Sequence, residues 1–544
     1  MQTQTQPPIL LPLLRAPAQA ANATRPPLHL LPGGDLPASR IAFTTRATPA
    51  GTTEDAEVID WTVTTHVFPA AYPRSTPAAT TPPCNPYLHM EPKPLPAVHG
   101  SDDQERRKEE KRRRELDLDE WKRREETQKD AIAQLFRPPA DEQEAASRAH
   151  ELAQYAHPQL WSSVQRIVPI KRPGKGSRTG SGMTREDVTG SSTNSGNPQP
   201  VTLIFAHANG LHKETWEASL PSLLQSLHGS ETLVEEIWSL DTMGSGQSGI
   251  LNANHLGEIA SWFDGARDIQ QFVRRYLPTR QPESAFRRQA GPRWPPAVLK
   301  VRNETRHGRR LAAVGHSYSG ASLALLSHTA TFEAAVLVDP VLVSPRHLPR
   351  SLERVHKIMR IPLARGAVAR RDVWDNHATA KEYFLTRPFW QAFDRRTLDS
   401  YAKFGLRPLH SSDKAGNVTL ATPKWIEAAY FGTTLVSAFA SFALRHEVAP
   451  DSTGKPKIDG DNKADVTKIW AIISRQSVLP DEDRQDLEET LRLRGSRNAH
   501  WERAEARHLI VQENPDLAGE KIGNALRKLL SSDVVSISTP NARL

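Results

Sequence analysis

The serine at the centre of Val314-Gly315-His316-Ser317-Tyr318-Ser319-Gly320 is the residue of this 544-residue chain best placed to do chemistry. It follows the apolar run Leu311–Val314 and opens the small-residue segment Ala321–Leu326, so strand, sharp turn and helix are expected in succession. A Ser on such a turn has a strained backbone and an exposed hydroxyl at the head of a helix, the arrangement of an activated nucleophile. Strand and helix nearly touch there, so the positions two before and two after the Ser must be small. Gly315 and Ser319 meet that requirement, although Ser319 stands where glycine is usual and Gly320 comes one residue late.

A serine hydroxyl needs a base, a group to orient the base, and two donors for the oxyanion. Of twenty histidines, His508 has the position expected of the base: it lies in the loop after the last strand, ahead of an apolar patch and Asn514-Pro515. His500 is its competitor. The commonest place for the acid is the turn after the penultimate strand, here Ser474–Pro480, where Ser477 stands in its stead. Serine cannot carry the charge that stabilises an imidazolium. Val338-Asp339-Pro340 supplies an acid at an apolar strand end, where an unpaired carboxylate would be costly. Asp339 is therefore assigned to orient His508, with Asp481 and Asp483 as alternatives. The expected oxyanion donors are the amides of Leu211, after the turn Ala206-His207-Ala208-Asn209-Gly210, and of Tyr318. His207 braces that turn. The loop Asp241–Ser248 has two glycines but no following Lys-Ser/Thr and no third glycine, so it is structural and does not hold phosphate.

These residues must be positioned by a sheet. Val201–Ala206, Glu236–Leu240, Leu311–Val314, Ala334–Val338 and Ile469–Ile473 are runs of the buried parallel type, separated by helical patterns over Ile259–Leu277, Ala321–His328 and Asp516–Leu530. Alternating strand and helix implies an α/β fold with a mostly parallel sheet and helices on both faces, reactive groups gathering at the carboxyl ends of the strands. The organisation expected is a Pro-rich disordered segment over 1–40, a first part of the core over 41–343, a helical cap over 344–465 inserted between strands 6 and 7, and the rest of the core over 466–544. Within the first part, 102–136 reads as an exposed, solvated charged helix and 171–199 as a flexible loop.

Composition narrows the function. A net charge of +8 is spread among acids and does not favour nucleic-acid binding. The one cysteine, Cys84, cannot form an internal disulfide, which fits a reducing compartment. No apolar run reaches the roughly 20 residues that span a bilayer. The N-terminus has no basic region ahead of its Pro-interrupted apolar stretch and does not fit a secretory signal, although its arginines suit a mitochondrial transit peptide. Ala542-Arg543-Leu544 is similar to the peroxisomal address, and a peroxisomal import receptor is the expected partner, with cytoplasm or mitochondrion as alternative locations.

In order, the His207–Leu211 turn, the Asp241–Ser248 loop, the Gly315–Gly320 elbow and His508 resemble the α/β-hydrolase superfamily over about Val201–Leu530. Ala206–Gly210, Arg387-Pro388-Phe389-Trp390 and Lys424–Tyr430 look like fungal peroxisomal hydrolases of toxin-biosynthesis and lipase type. That resemblance implies that Ile41–Arg74 belongs to the fold and that a C-terminal peroxisomal signal is present. Asp339-Pro340 resembles the acid placement of pancreatic-type lipases. The expectation is a serine hydrolase of acyl esters or thioesters, with no cofactor or metal implied. Acyl transfer on the same fold, or a degenerate binding protein, are the rivals.

Overall fold

Apolar, β-branched runs build the middle of one sheet. The structure is a computed structural model describing residues 39–44, 58–72, 74–80, 103–137, 140–154, 158–169, 199–228, 230, 232–277, 310–327, 331–347, 362–409, 416–446 and 467–531. Most of the Pro-rich N-terminus, nearly all of the loop expected over 171–199, and the Ala542-Arg543-Leu544 terminus lie outside the described residues.

Nine strands form the main sheet: β1 (Ser39–Thr44), β2 (Val58–Pro69), β3 (Trp161–Pro169), β4 (Gln199–Ala206), β5 (Thr232–Leu240), β6 (Arg310–His316), β7 (Ala334–Val338), β11 (Lys468–Gln476) and β12 (Ala499–Arg507). Their order is β1-β2-β3-β5-β4-β6-β7-β11-β12. From β5 to β12 every pairing is parallel, while β1, β2 and β3 add antiparallel strands at one edge. Leu203 and Phe205 face one apolar cluster and Ile204 and Ala206 the other, so β4 is buried on both sides as a continuous apolar run requires.

The charged segment forms α1 (Asp103–Phe136), and α2 (Glu142–Gln154) follows it. One face of the sheet carries α5 (Trp262–Gln271) and α6 (Tyr318–Leu326), and the other α3 (Leu220–Leu227) and α13 (Pro515–Leu530). The short α4 (Gly246–Asn252) follows β5, and α12 (Asp481–Leu493) joins β11 to β12. The long excursion leaves after β7, the seventh strand of the sheet in chain order, and returns at β11. It holds α7 (Pro362–Ala369), α8 (His377–Leu385), α9 (Arg395–Phe404), α10 (Lys424–Gly432), α11 (Val436–His446) and a small antiparallel sheet ordered β8 (Val373–Trp374), β10 (Val418–Leu420), β9 (Leu406–Pro408). Trp374, Phe384, Trp390 and Tyr401 of this insert pack with Ala208 and Leu211 from the loop after β4. The insert therefore lies over a strand end. Its last helix, α11, instead joins the main core through Val436, Phe439, Ala440 and Leu444.

The charged helix α1 departs from the solvated helix expected. Trp121, Gln128, Ile132 and Leu135 fall at helical spacing on one stripe and are buried, Arg124 is buried on the same stripe, and most of the other charges lie on the remaining faces. Trp121 stacks on Trp425 with ring centroids 6.0 Å apart, and Phe136 on Phe439 at 5.7 Å. Asp117 accepts from Lys424 Nζ at 2.6 Å. Charge density masked a narrow apolar seam. Trp121→Ala should lower unfolding free energy by about 3–5 kcal/mol, the usual cost of truncating a buried indole, in a denaturant titration. An unchanged midpoint would mean that this helix is not docked.

Candidate functional site

Ser317 sits between β6 and α6 as the N-cap of the helix, with φ 61° and ψ −121°. A strained residue of this kind costs about 1–3 kcal/mol and persists only where its surroundings hold it. Its amide donates to the Val338 carbonyl at 3.0 Å, and its own carbonyl accepts from the Val341 amide at 3.1 Å. Gly315 is required: a Cβ there would lie 2.7 Å from the Ser319 carbonyl oxygen, as β6 and α6 cross at contact.

His508 follows β12 and reaches back to Ser317 at the end of β6. Its Nε2 is 3.0 Å from Ser317 Oγ, and its Nδ1 is 2.6 Å from Asp339 Oδ2. Asp339, at the end of β7, is 2% exposed, and its Oδ1 accepts the Ser474 amide at 2.8 Å. The structure thus brings Ser317, His508 and Asp339 together. It places the alternatives elsewhere. Asp481 is 77% exposed at its side chain and pairs with Arg484, and Asp483 accepts the Ser344 amide at 2.8 Å. Ser477 accepts the Leu479 amide, and His500 lies tilted against Trp470 at 4.9 Å between ring centroids. In this geometry the Asp339 carboxylate fixes the proton of His508 on Nδ1, leaving Nε2 free to take the Ser317 proton.

One expected donor is corrected. Gly210 takes φ +76° and closes a tight turn in which the Leu211 amide points back to the Ala208 carbonyl at 3.2 Å. The Leu211 side chain packs into the cap. Its N–H is already spent. The amides of Asn209 and Tyr318 have no acceptor among the described residues. His207 braces this turn as expected. Its Nε2 accepts the Thr242 amide at 3.3 Å, so Nδ1 carries the proton and donates to the Ala208 carbonyl at 2.8 Å. Asp241 is structural too: its carboxylate accepts the Lys213 amide at 2.8 Å, Lys213 Nζ at 3.0 Å and the Gln247 amide at 3.0 Å. From the cap, the Glu427 carbonyl accepts Asn209 Nδ2 at 3.0 Å. Among the described residues, no group of three or more His, Cys, Asp or Glu is placed to hold a metal ion.

Sequence reasoning passed over His316. Its Nε2–H donates to the His508 carbonyl at 2.8 Å, and the two rings lie 5.4 Å apart. Burial, and then the neighbouring His508, lower its pKa to about 3. A neutral His316 tethers the backbone of His508 without opposing positive charge on that ring. The only signal in the sequence was adjacency to Ser317.

Residues 203–518 match the model of the alpha/beta hydrolase family. The type I acyl-CoA thioesterase mpaH of Penicillium roqueforti is 26% identical over 293 residues, 50% of this chain and 57% of that protein. The chain thus matches little more than half of that relative's length. The peroxisomal membrane protein LPX1 of Saccharomyces cerevisiae is 32% identical over 69 residues, 13% of this chain and 18% of that one. Among solved structures, the peroxisomal alpha-beta-hydrolase Lpx1 of the same yeast superposes with a TM-score of 0.51 at 15% identity, covering 89% of this chain and 93% of the other. That likeness shows a shared fold.

The buried His316 makes stability depend on pH with a definite sign. Between its ordinary pKa of 6.5 and the folded value of about 3, the unfolded chain binds a proton that the folded chain refuses. Its contribution is complete above pH 6.5 and is lost as pH falls, by up to ~1.4 kcal/mol per pH unit. His316→Gln keeps a donor for the His508 carbonyl but cannot titrate. Denaturant unfolding between pH 7 and pH 4 should therefore show a shallower acid slope for the variant, and equal slopes would refute this assignment.

Proposed function

We propose that this chain, which belongs to the alpha/beta hydrolase family, is a serine hydrolase cleaving carboxylic esters or thioesters of acyl chains through an acyl-enzyme. The observation that carries this is His508 held between Ser317 Oγ at 3.0 Å and Asp339 Oδ2 at 2.6 Å. Ser317 Oγ attacks the carbonyl carbon while its proton passes to His508 Nε2. Asp339 stabilises the imidazolium, and the Tyr318 amide with the Asn209 amide of the loop after β4 receives the oxyanion. Collapse breaks the bond to the alcohol or thiol, which leaves with the proton from His508. Water then gives a proton to the same nitrogen and attacks the acyl-serine, and the acyl–Oγ bond breaks as His508 returns that proton to Ser317 Oγ and the acid is released.

Thioesters of acyl chains come first among substrates because the Penicillium relative is named an acyl-CoA thioesterase. Acyl transfer would use the same site with an alcohol or amine replacing water. The lack of an acid at Ser477 no longer favours a binding-only protein, since another carboxylate meets His508. Peroxisomal location is supported by the names of the yeast relative and structural neighbour and by Ala542-Arg543-Leu544.

Ser317→Ala should reduce hydrolysis of p-nitrophenyl esters and acyl thioesters by about 10⁴-fold or more, with an unchanged melting curve. Full activity in that variant would rule the mechanism out. For location, a fluorescent fusion at the N-terminus should form puncta with a peroxisomal marker and disperse when Ala542-Arg543-Leu544 is removed. Puncta that survive the deletion would exclude the tripeptide as the address.

A further inference from the structure

Ser319 is the residue at which the elbow departs from its usual glycine, and size alone does not explain the choice. The crossing of β6 and α6 demands a small side chain there, which glycine or alanine would satisfy without a hydroxyl. Ser319 is 1% exposed, and a hydroxyl buried to that degree is costly unless bonded. Its Oγ–H donates to the His207 carbonyl at 2.6 Å.

The two chain segments joined by this bond carry the two free amides of the site. Tyr318, whose N–H heads α6, immediately precedes Ser319. On the other side, His207 lies two residues before Asn209. The peptide between Ala208 and Asn209 is oriented from its carbonyl, which accepts both His207 Nδ1–H at 2.8 Å and the Leu211 amide at 3.2 Å. In a planar trans peptide the N–H points opposite to the C=O, so fixing that carbonyl also fixes the direction of the Asn209 N–H. The His207 ring is itself held by the Thr242 amide at 3.3 Å. Every group that orients the Asn209 amide is thus anchored, and among the described residues the direct side-chain bond from this turn to the nucleophile helix is made by Ser319.

We infer that Ser319 is a positioning residue that sets the spacing between the Tyr318 and Asn209 oxyanion donors through its bond to the His207 carbonyl. The inference rests on the serine-hydrolase mechanism proposed above. Donors aimed at a developing charge act only within a narrow tolerance of distance and angle. Losing the clamp therefore weakens binding of the transition state more than binding of the substrate.

The test is Ser319→Ala and Ser319→Gly in the full chain, assayed with a p-nitrophenyl ester alongside wild type and Ser317→Ala. Expected is a fall in kcat of about 10–100-fold with KM within about twofold, although Ser319→Gly restores the commoner motif. Affinity for a trifluoromethyl ketone, whose adduct places an oxyanion in the same site, should fall in parallel. A variant that melts like wild type and keeps kcat within twofold would overturn the clamp while leaving the nucleophile assignment intact. Alanine is the better helix former, so Ser319→Ala decides if the glycine variant is unstable. Loss of folded protein in both would also overturn the inference, making the hydroxyl a folding contact. Failure of the underlying mechanism looks different: Ser317→Ala would then be as active as wild type.

Discussion

A single buried carboxylate holds the site together. Asp339 has one oxygen on His508 Nδ1 at 2.6 Å and the other on the Ser474 amide at 2.8 Å, and its own amide donates to the Ile472 carbonyl at 2.7 Å. Removed from water, a carboxylate is tolerable only when its oxygens are occupied, and both are. The acid is thereby fastened to β11 as well as to its own strand, β7. Adjacent strands lie about 4.8 Å apart, so β12, which leads into His508, is roughly three spacings from β6, which leads into Ser317. The imidazole must reach back across the sheet to meet the serine. It does so pulled by Asp339 from the strand beside β6, with its backbone tied to His316 at 2.8 Å.

Strain is concentrated at the same place. Among the described residues, the non-glycine positions with positive φ are Ser317 at 61° and Asp339 at 36°. Neither conformation would persist in an isolated turn. They hold each other through the ends of three neighbouring strands: the Ser317 amide on Val338, the Val341 amide on Ser317, and the Asp339 amide on Ile472. The insert adds a roof. Its aromatic cluster packs on the turn after β4, and the Asp394 amide donates to the Gln512 carbonyl at 2.8 Å just past His508. Ser317 itself is only 7% exposed.

Much of this was legible in the sequence because it depends on local rules. The central strands were visible as apolar runs, since a strand covered on both faces has no polar alternation to obscure it. The elbow could be read from small residues around Ser317, and Asp339 stood out as an acid at the end of an apolar strand. Other features depended on partners distant in sequence. β12, Ala499–Arg507, is an edge strand with alternating charge and no apolar run, so its strand character comes from pairing with β11. The seam of α1 was hidden because a few buried apolar positions in a helix dense with Arg, Lys and Glu give little periodicity. Leu211 was assigned because Gly210 lets the chain turn ahead of it, but the direction of an amide depends on the turn it closes, and Gly210 turns that amide inward.

The dependence on Asp339 is open to direct measurement. Asn at position 339 keeps the shape and can still accept the Ser474 amide, but it cannot hold the His508 proton on Nδ1 against positive charge. The kcat of Asp339→Asn and of Asp481→Asn should be compared at neutral pH with one acyl ester. Asp339→Asn should lose about 10³–10⁴-fold in kcat, and Asp481→Asn, altering an exposed carboxylate, should stay within twofold of wild type. A nearly wild-type Asp339→Asn, or a collapse in Asp481→Asn, would contradict the assignment of the acid and the geometry built around it.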